Sequence, residues 1–207
     1  MPLSLTERDR IIEKALMTPE RDTQLRLDAI APSPDIHTSF REGYRFGMLQ
    51  NLESTIPFIV AAVRQQMLFD IFLEMIDKLG DEVDVILETS HDVTDGKHKQ
   101  LWREGIDLPI LKSICDDFRK LLVCDGFTGI VVLSRNEPQK VQFDENKLIV
   151  IHAQETLTLF RSILRRNRIL HKPFLQFICE GPHRHHMLDG APDTFEALRR
   201  ELQAEER

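Results

Sequence analysis

The chain has 207 residues and a formal net charge of −7 at pH 7. Hydrophobic residues make up 42% of it and charged residues 29%, a globular balance that excludes an intrinsically disordered chain. The acidic net charge argues against a nucleic-acid partner, because general nucleic-acid binders usually carry a basic excess.

Neither a membrane span nor a signal peptide is expected. No window reaches about 18 uninterrupted apolar residues, the length that crossing a bilayer requires. The first eight residues lack the apolar core of a signal peptide. The three cysteines cannot all pair within one chain. We therefore expect a cytoplasmic protein with reduced thiols.

The first part of the chain, 1–80, is predicted to be a helical region. Apolar spacing predicts a helix over 6–17 and a second from Thr18 to near Ile30. A third helix is expected from Asp35 onward, after a proline-rich break. Its apolar positions are Phe40, Tyr44, Met48 and Leu52.

A fourth predicted helix opens at Pro57 and ends at Leu79, just before Gly80. Its apolar face is too wide for a helix that lies on the surface of a small domain. Either it is the central element of a bundle or part of it is a subunit interface. The second interpretation predicts a homo-oligomer assembled through this helix, and a separate protein partner is left open.

The region 81–207 is predicted to be an α+β domain, either separate from 1–80 or continuous with it. Its centre is a three-strand meander, in which the runs 130–133 and 148–151 are apolar on both faces. Between them, Val141 and Phe143 alternate with polar residues, as in a half-exposed strand.

Helices and short strands are predicted on either side of the meander. Before it we expect a strand over 83–87, a loop around Trp102 and an amphipathic helix that Asp107 caps. After it we expect a helix over 155–166, a strand over 174–179 and a terminal helix from Asp193 or Thr194. The predicted fold class is α+β: an N-terminal helical layer, then a mixed or antiparallel sheet flanked by helices.

A histidine-rich segment follows the last predicted strand. His183 and His185 are two residues apart, so on an extended chain their imidazoles point to the same side and could reach one metal ion. Glu180 and His186 complete the candidate metal ligands. Three other interpretations remain: an acid–base site, an anion site, or a solvated loop.

A cluster of cations lies on and just after the predicted helix over 155–166, with no acid between Arg161 and Lys172. It could hold a phosphate, a carboxylate or an acidic partner protein. Alternatively, cations near a helix C-terminus complement the helix dipole and need no ligand. The candidate residues are Arg161, Arg165, Arg166, Arg168 and Lys172.

The sequence contains no strong catalytic motif: neither a glycine-rich phosphate loop, nor Gly-x-Ser-x-Gly, nor Cys-x-x-Cys. The first functional hypothesis is therefore a non-enzymatic binding or scaffold protein, oligomeric and without a cofactor. The alternative is a metal-assisted hydrolase that holds Zn²⁺ or another divalent metal in the segment from Glu180 to His186.

Overall fold

The computed structural model describes residues 25–50, 55–92, 98–153 and 156–207. The predicted helix over 6–17 and most of the second predicted helix lie outside these ranges. The described strands are β1 (Ile30–Pro32), β2 (Gly43–Gln50), β3 (Thr55–Ala62), β4 (Glu82–Thr89), β5 (Lys99–Asp107), β6 (Thr128–Ser134), β7 (Gln139–Phe143), β8 (Leu148–Ala153) and β9 (His183–His185). The described α-helices are α1 (Gln65–Ile76), α2 (Leu108–Asp117), α3 (Arg119–Cys124), α4 (Leu157–Arg166) and α5 (Ala191–Leu202).

Seven of the strands form one antiparallel sheet in the order β2-β3-β8-β7-β6-β4-β5. The predicted meander is confirmed as β6, β7 and β8, which pair consecutively in the middle of the sheet. The predicted α+β class is also confirmed, because α-helices accompany this antiparallel sheet. β1 and β9 form a separate antiparallel ribbon. Within the described residues, no helix is long and apolar enough to cross a membrane.

The main core lies between one face of the sheet and the five helices. Alternate residues of the central strands point to this face, as the two-residue period of a strand requires. Phe72 of α1 and Phe160 of α4 are fully buried against them. The strand residues that reach this core are Tyr44, Ile59, Ala61, Val83, Val85, Leu87, Leu101, Ile106, Ile130, Val132, Val141, Phe143, Ile149, Ile151 and Ala153.

A second, smaller core covers the opposite face at one end of the sheet. Two segments lie over the strands β3 and β8 there: 25–40, which contains β1, and 175–179. The buried members are Leu25, Ile30, Phe40, Ala62, Leu148, Leu175, Phe177 and Ile178.

The third predicted helix is wrong, because Gly43–Gln50 is the edge strand β2. Tyr44 and Met48 are four residues apart, a spacing that also satisfies the strand period of two. Phe46, between them, lies on the same side of β2. Eight consecutive residue pairs with β3 supply backbone hydrogen bonds that a helical pattern in the sequence does not reveal.

The fourth predicted helix is also wrong in its first part. Thr55–Ala62 is β3, and the helix α1 begins only at Gln65. A segment that is apolar all round has no clear period, so a strand followed by a helix is indistinguishable from one long helix. The chain's own core accounts for the apolar face of α1. Assembly through this helix stays a prediction, but the apolar face that motivated it is buried in the chain's own core.

Beyond Gly80 the predictions hold better. The strand over 83–87, the helix after Asp107 and the terminal helix are confirmed as β4, α2 and α5. The predicted loop around Trp102 is instead the edge strand β5. The predicted strand over 174–179 is wrong, because this segment ends in the 3₁₀ turn Ile178–Glu180. Since β2 and β3 join the same sheet as β4–β8, the described strands on both sides of Gly80 share one sheet.

Candidate functional site

The structure brings two of the four candidate metal ligands together. β9 pairs with β1 so that His185 lies opposite Ile30 and His183 opposite Pro32. Both imidazoles therefore project from one side of the ribbon. Their Nε2 atoms are 3.1 Å apart, and both side chains are only partly exposed.

The other nitrogen of each ring is held by a backbone carbonyl. Nδ1 of His183 is 2.7 Å from the carbonyl oxygen of Gly181, and Nδ1 of His185 is bonded to the carbonyl oxygen of Gly126. A carbonyl oxygen only accepts hydrogen bonds, so both Nδ1 atoms carry the hydrogen. In the neutral rings, both Nε2 atoms then present lone pairs toward each other.

Glu180 and His186 do not join this pair. One carboxylate oxygen of Glu180 forms an ion pair with Arg45, and the other accepts a hydrogen bond from the amide of Phe177 at 3.0 Å. His186 is exposed, and its backbone amide donates to Ala29. Across the ranges that the structure describes, no group of three or more His, Cys, Asp or Glu side chains is placed to hold a metal ion.

The candidate cations are divided between several environments. The guanidinium of Arg161 lies over the ring of Phe46, 5.4 Å from its centroid. Arg166 forms an ion pair with Glu74 of α1. Arg165 and Arg168 are exposed on the same stretch of chain. The five cations therefore do not form a single pocket, but Arg161 lies beside the sheet edge at β2.

The edge at β2 is only partly covered. The amide of Tyr44 donates to Leu170, and the amide of Lys172 donates to Tyr44, so one short segment closes this position. Further along, Phe46 and Met48 direct their amides and carbonyls to the same edge, because alternate residues of a strand do so. Among the described residues no hydrogen-bond partner occupies those groups.

The side chains at this open edge are apolar and accessible. Phe46 is 41% exposed and Met48 is 65% exposed, although both lie on the face that elsewhere carries the main core. The His171 ring packs against Phe46 with 5.0 Å between centroids. The opposite face of β2 is closed, because Arg45 lies over the Phe177 ring and donates to the carbonyl of Leu175.

A buried polar network lies away from the β2 edge, at the turn between α3 and β6. The carboxylate of Asp125 is fully buried and accepts hydrogen bonds from the Thr128 hydroxyl at 2.7 Å and the Leu188 amide at 3.0 Å. It also meets Nε2 of His91 at 2.9 Å, while Nδ1 of His91 is 2.7 Å from the hydroxyl of Thr89.

The chain Asp125–His91–Thr89 resembles an acid–imidazole–hydroxyl relay, but it is closed to substrates. Thr89 is 8% exposed and the His91 side chain 5% exposed. Burial opposes ionisation of Asp125, yet the hydrogen bonds from His91, Thr128 and Leu188 outweigh it and lower the pKa of the carboxyl. The network is therefore structural: it fixes the turn and ties it to the C-terminal segment.

Lys147 adds a buried cation next to this network. Its ammonium donates to the carbonyls of Leu122 and Thr128 at 3.0 and 2.8 Å, and its backbone φ is 60°. Burial lowers the pKa of Lys147 to about 8. Sequence reasoning missed Asp125 and Lys147. The available signal was a charged residue shortly before a buried strand: Asp125 lies just ahead of β6, and Lys147 directly precedes β8.

The thiols are shielded from ionisation. Burial raises the pKa of Cys115 to about 12, and burial, with Asp144 and Glu180, raises the pKa of Cys179 to about 11. Burial and Asp28 also raise the pKa of Cys124. Since a thiolate is the reactive form, none of the three cysteines is activated as a nucleophile.

Comparisons with protein-family models, curated proteins and solved structures find no match to this chain. Its function is therefore argued from the geometry alone.

Proposed function

We propose that this chain is a non-enzymatic binding protein that adds an extended, acidic and partly apolar peptide segment to the open edge of β2. The observation that carries the proposal is the combination of exposed Phe46 and Met48 side chains with backbone groups, on the same edge, that no described residue occupies. Strand addition uses these two features together: the backbone groups supply affinity and the side chains supply specificity.

The edge at β2 differs from typical edge strands, which are protected against pairing with another chain. Natural edge strands commonly carry lysine, proline or a bulge that blocks pairing with another chain. The portion of β2 from Tyr44 to Met48 contains none of these, and its register with β3 is continuous. The segment around His171 occupies only the position beside Tyr44. An incoming strand could therefore continue from this segment alongside Phe46 and Met48.

The positive charge near the β2 edge favours an acidic peptide segment. The stretch from Thr156 to Cys179 contains no aspartate or glutamate, although the whole chain carries a net charge of −7. Arg161 lies against Phe46, and Arg165 is one helical turn further along the same flank of α4. A bound strand with glutamate or aspartate side chains on the helix side would face these guanidinium groups.

A second copy of the chain fits this edge less well than an acidic peptide. Antiparallel pairing of two β2 strands places a two-fold axis perpendicular to the sheet. Both α4 helices would then lie on the same side of the joined sheet, and Arg161 of one copy would approach Arg161 of the other. Like charges at such positions are destabilising. Homo-oligomerisation, also expected from the sequence, is thus a competing outcome of the test.

The test uses two synthetic ten-residue peptides with fluorescent labels, one alternating valine with glutamate and one alternating valine with lysine. We expect the full-length protein to bind the acidic peptide at least about tenfold more tightly in fluorescence anisotropy, a difference of roughly 1.4 kcal/mol. N-methylation of alternate amides in the acidic peptide should abolish binding, because it removes the donors that pair with β2. Equal binding of both peptides, or of the methylated one, would contradict the proposal.

Variants locate the binding surface. The double change Phe46→Ala, Met48→Ala should weaken binding of the acidic peptide about tenfold or more, as loss of central apolar anchors does. The matched control is Ile110→Ala, because Ile110 is 52% exposed on α2, which packs against the other edge strand β5. Sedimentation of the free protein tests the second-copy outcome: a dimer that Met48→Pro dissociates would replace the peptide as the occupant.

Metal-assisted hydrolysis is the second candidate function. The convergence of His183 and His185 favours a bound metal, but a hydrolase also needs a group that activates water. Glu180, a candidate metal ligand in this segment, does not supply such a group, because its two carboxylate oxygens are engaged by Arg45 and Phe177. Peptide docking is therefore the function that the geometry supports better. For either function we infer a cytoplasmic location, because the three cysteines cannot all pair within one chain and reduced thiols are typical of the cytoplasm.

A further inference from the structure

We propose that His183 and His185 form a binding site for one divalent late transition-metal ion, with both Nε2 atoms as ligands. Water or an external donor would complete the coordination. This site is independent of the proposed peptide docking at β2.

The spacing of the two nitrogens suits a shared metal. Zn–N bonds of about 2.0–2.1 Å to two atoms that are 3.1 Å apart subtend roughly 95–100° at the ion. This angle lies between the square-planar and tetrahedral values, so neither ring has to move far. Imidazole nitrogen suits copper, nickel and zinc, and affinity along this series is highest for Cu²⁺.

The hydrogen bonds on the far side of each ring are those of a metal ligand. Metal-binding histidines commonly donate their second N–H to a carbonyl or carboxylate, which fixes the tautomer and the ring orientation. Gly181 and Gly126 provide these carbonyls for His183 and His185. Both Nε2 atoms are thereby left without a hydrogen in the neutral rings, and they lie 3.1 Å apart without a metal being needed to hold them there.

Two neutral imidazoles in this arrangement repel each other through their lone pairs, and a shared cation removes that repulsion. The cation is either a proton, which links the rings by a hydrogen bond, or a metal ion. The partly exposed rings let an ion enter from solvent.

The backbone holds the pair in place. β9 is paired with β1 at three consecutive positions, and Ile30 of β1 is buried in the second core. The amide of Gly126 donates to the carbonyl of His186 at 2.9 Å, so the residue whose carbonyl accepts the hydrogen bond from His185 is itself tied to this segment. The fold thus positions the two ligands before the metal binds.

The decisive experiment titrates full-length, tag-free protein with Ni²⁺ by calorimetry. We expect one equivalent to bind to the wild type. His183→Asn and His185→Asn should each lower the affinity by a factor of at least about ten, since one of two ligands is lost. Asparagine keeps a side-chain N–H close to the position of Nδ1 and removes Nε2, so the bond to the carbonyl can persist. His186→Asn is the matched control and should bind Ni²⁺ as the wild type does.

Paramagnetic resonance of the Cu²⁺-loaded wild type gives a readout that does not depend on the variants folding. Nitrogen couplings from two imidazoles are expected, and from one imidazole in each single variant. The proposal is overturned if the wild type takes up no stoichiometric Ni²⁺ or Cu²⁺, if the spectrum lacks imidazole nitrogen, or if His186→Asn reduces uptake as much as His183→Asn does.

Discussion

The carboxylate of Asp125 and the imidazole of His91 meet at 2.9 Å in the interior of the protein. His91 follows the strand β4, whereas Asp125 ends the helix α3, so this contact joins two elements that are far apart in the chain. The same carboxylate also holds Leu188 in the C-terminal segment. One side chain thus connects the sheet, the helical layer and the segment that leads into α5.

We expect Asp125→Ala to destabilise the protein by about 3–5 kcal/mol, because it leaves several buried donors without their acceptor. A urea titration measures this as a lower transition midpoint with an unchanged slope. The control is Asp70→Ala, which removes an exposed ion pair to Arg119 and should cost at most about 1 kcal/mol. Equal losses in the two variants would show that the network contributes no more than a surface pair.

Gly126 is the next residue and should tolerate no side chain. A Cβ at this position would lie 2.3 Å from the carbonyl oxygen of Ala29, a backbone atom that cannot rotate away. Gly126→Ala should therefore cost about 1–3 kcal/mol, as overpacking does. Gly181→Ala is the matched control, because a Cβ there meets nothing within 4 Å and the backbone φ of −127° suits alanine. A thermal melt that shifts equally in both variants would contradict this account.

The central meander was predictable because its patterns are local. The runs that became β6 and β8 are apolar on both faces, and the turns between them contain the expected polar residues. Around Tyr44, Phe46 and Met48 the local pattern predicted a helix where the structure has a strand. Their spacing fits a helix and a strand equally well, and only the pairing of β2 with β3 decides between them.

The candidate site was predictable in one respect. The two-residue spacing of His183 and His185 correctly places both rings on one side of an extended chain. Sequence could not show that Glu180 pairs with Arg45, which is 135 positions away. The open edge at β2 was hidden for the same reason, since an edge exists only once the order of strands in a sheet is known.

Two phenylalanines test how the core is divided. Sequence patterns place Phe118 and Phe160 in one core, but Phe160 is fully buried whereas Phe118 is only partly buried, at the junction of α2 and α3. Phe160→Ala should cost about 3–5 kcal/mol. Phe118→Ala should cost about 1–2 kcal/mol, in proportion to its smaller buried area. Both side chains contact the main core, so chemical denaturation of the two variants measures how much each contributes, and an equal loss would contradict the smaller burial of Phe118.

His152 should make the folded state sensitive to mild acid. Its ring is stacked on Phe58 of β3 and lies opposite Lys140 of β7. Burial, with a smaller effect of Lys140, lowers the pKa of His152 to about 4, against about 6.5 for an unfolded chain. As the pH falls from about 6.5 toward 4, the unfolded state gains a proton that the folded state excludes, so stability is lost.

Asp144 acts in the opposite sense over part of the same range. Burial raises the pKa of its carboxyl to about 6, so the folded state binds the proton more tightly and loses stability as the pH rises through that value. We therefore expect His152→Phe to flatten the rise of unfolding free energy between pH 4 and 6.5, and Asp144→Asn to steepen it. Urea titrations at half-unit pH intervals measure both slopes. If His152→Phe leaves the slope as it is in the wild type, the imidazole is charged in the folded protein and the stack on Phe58 does not exclude the proton.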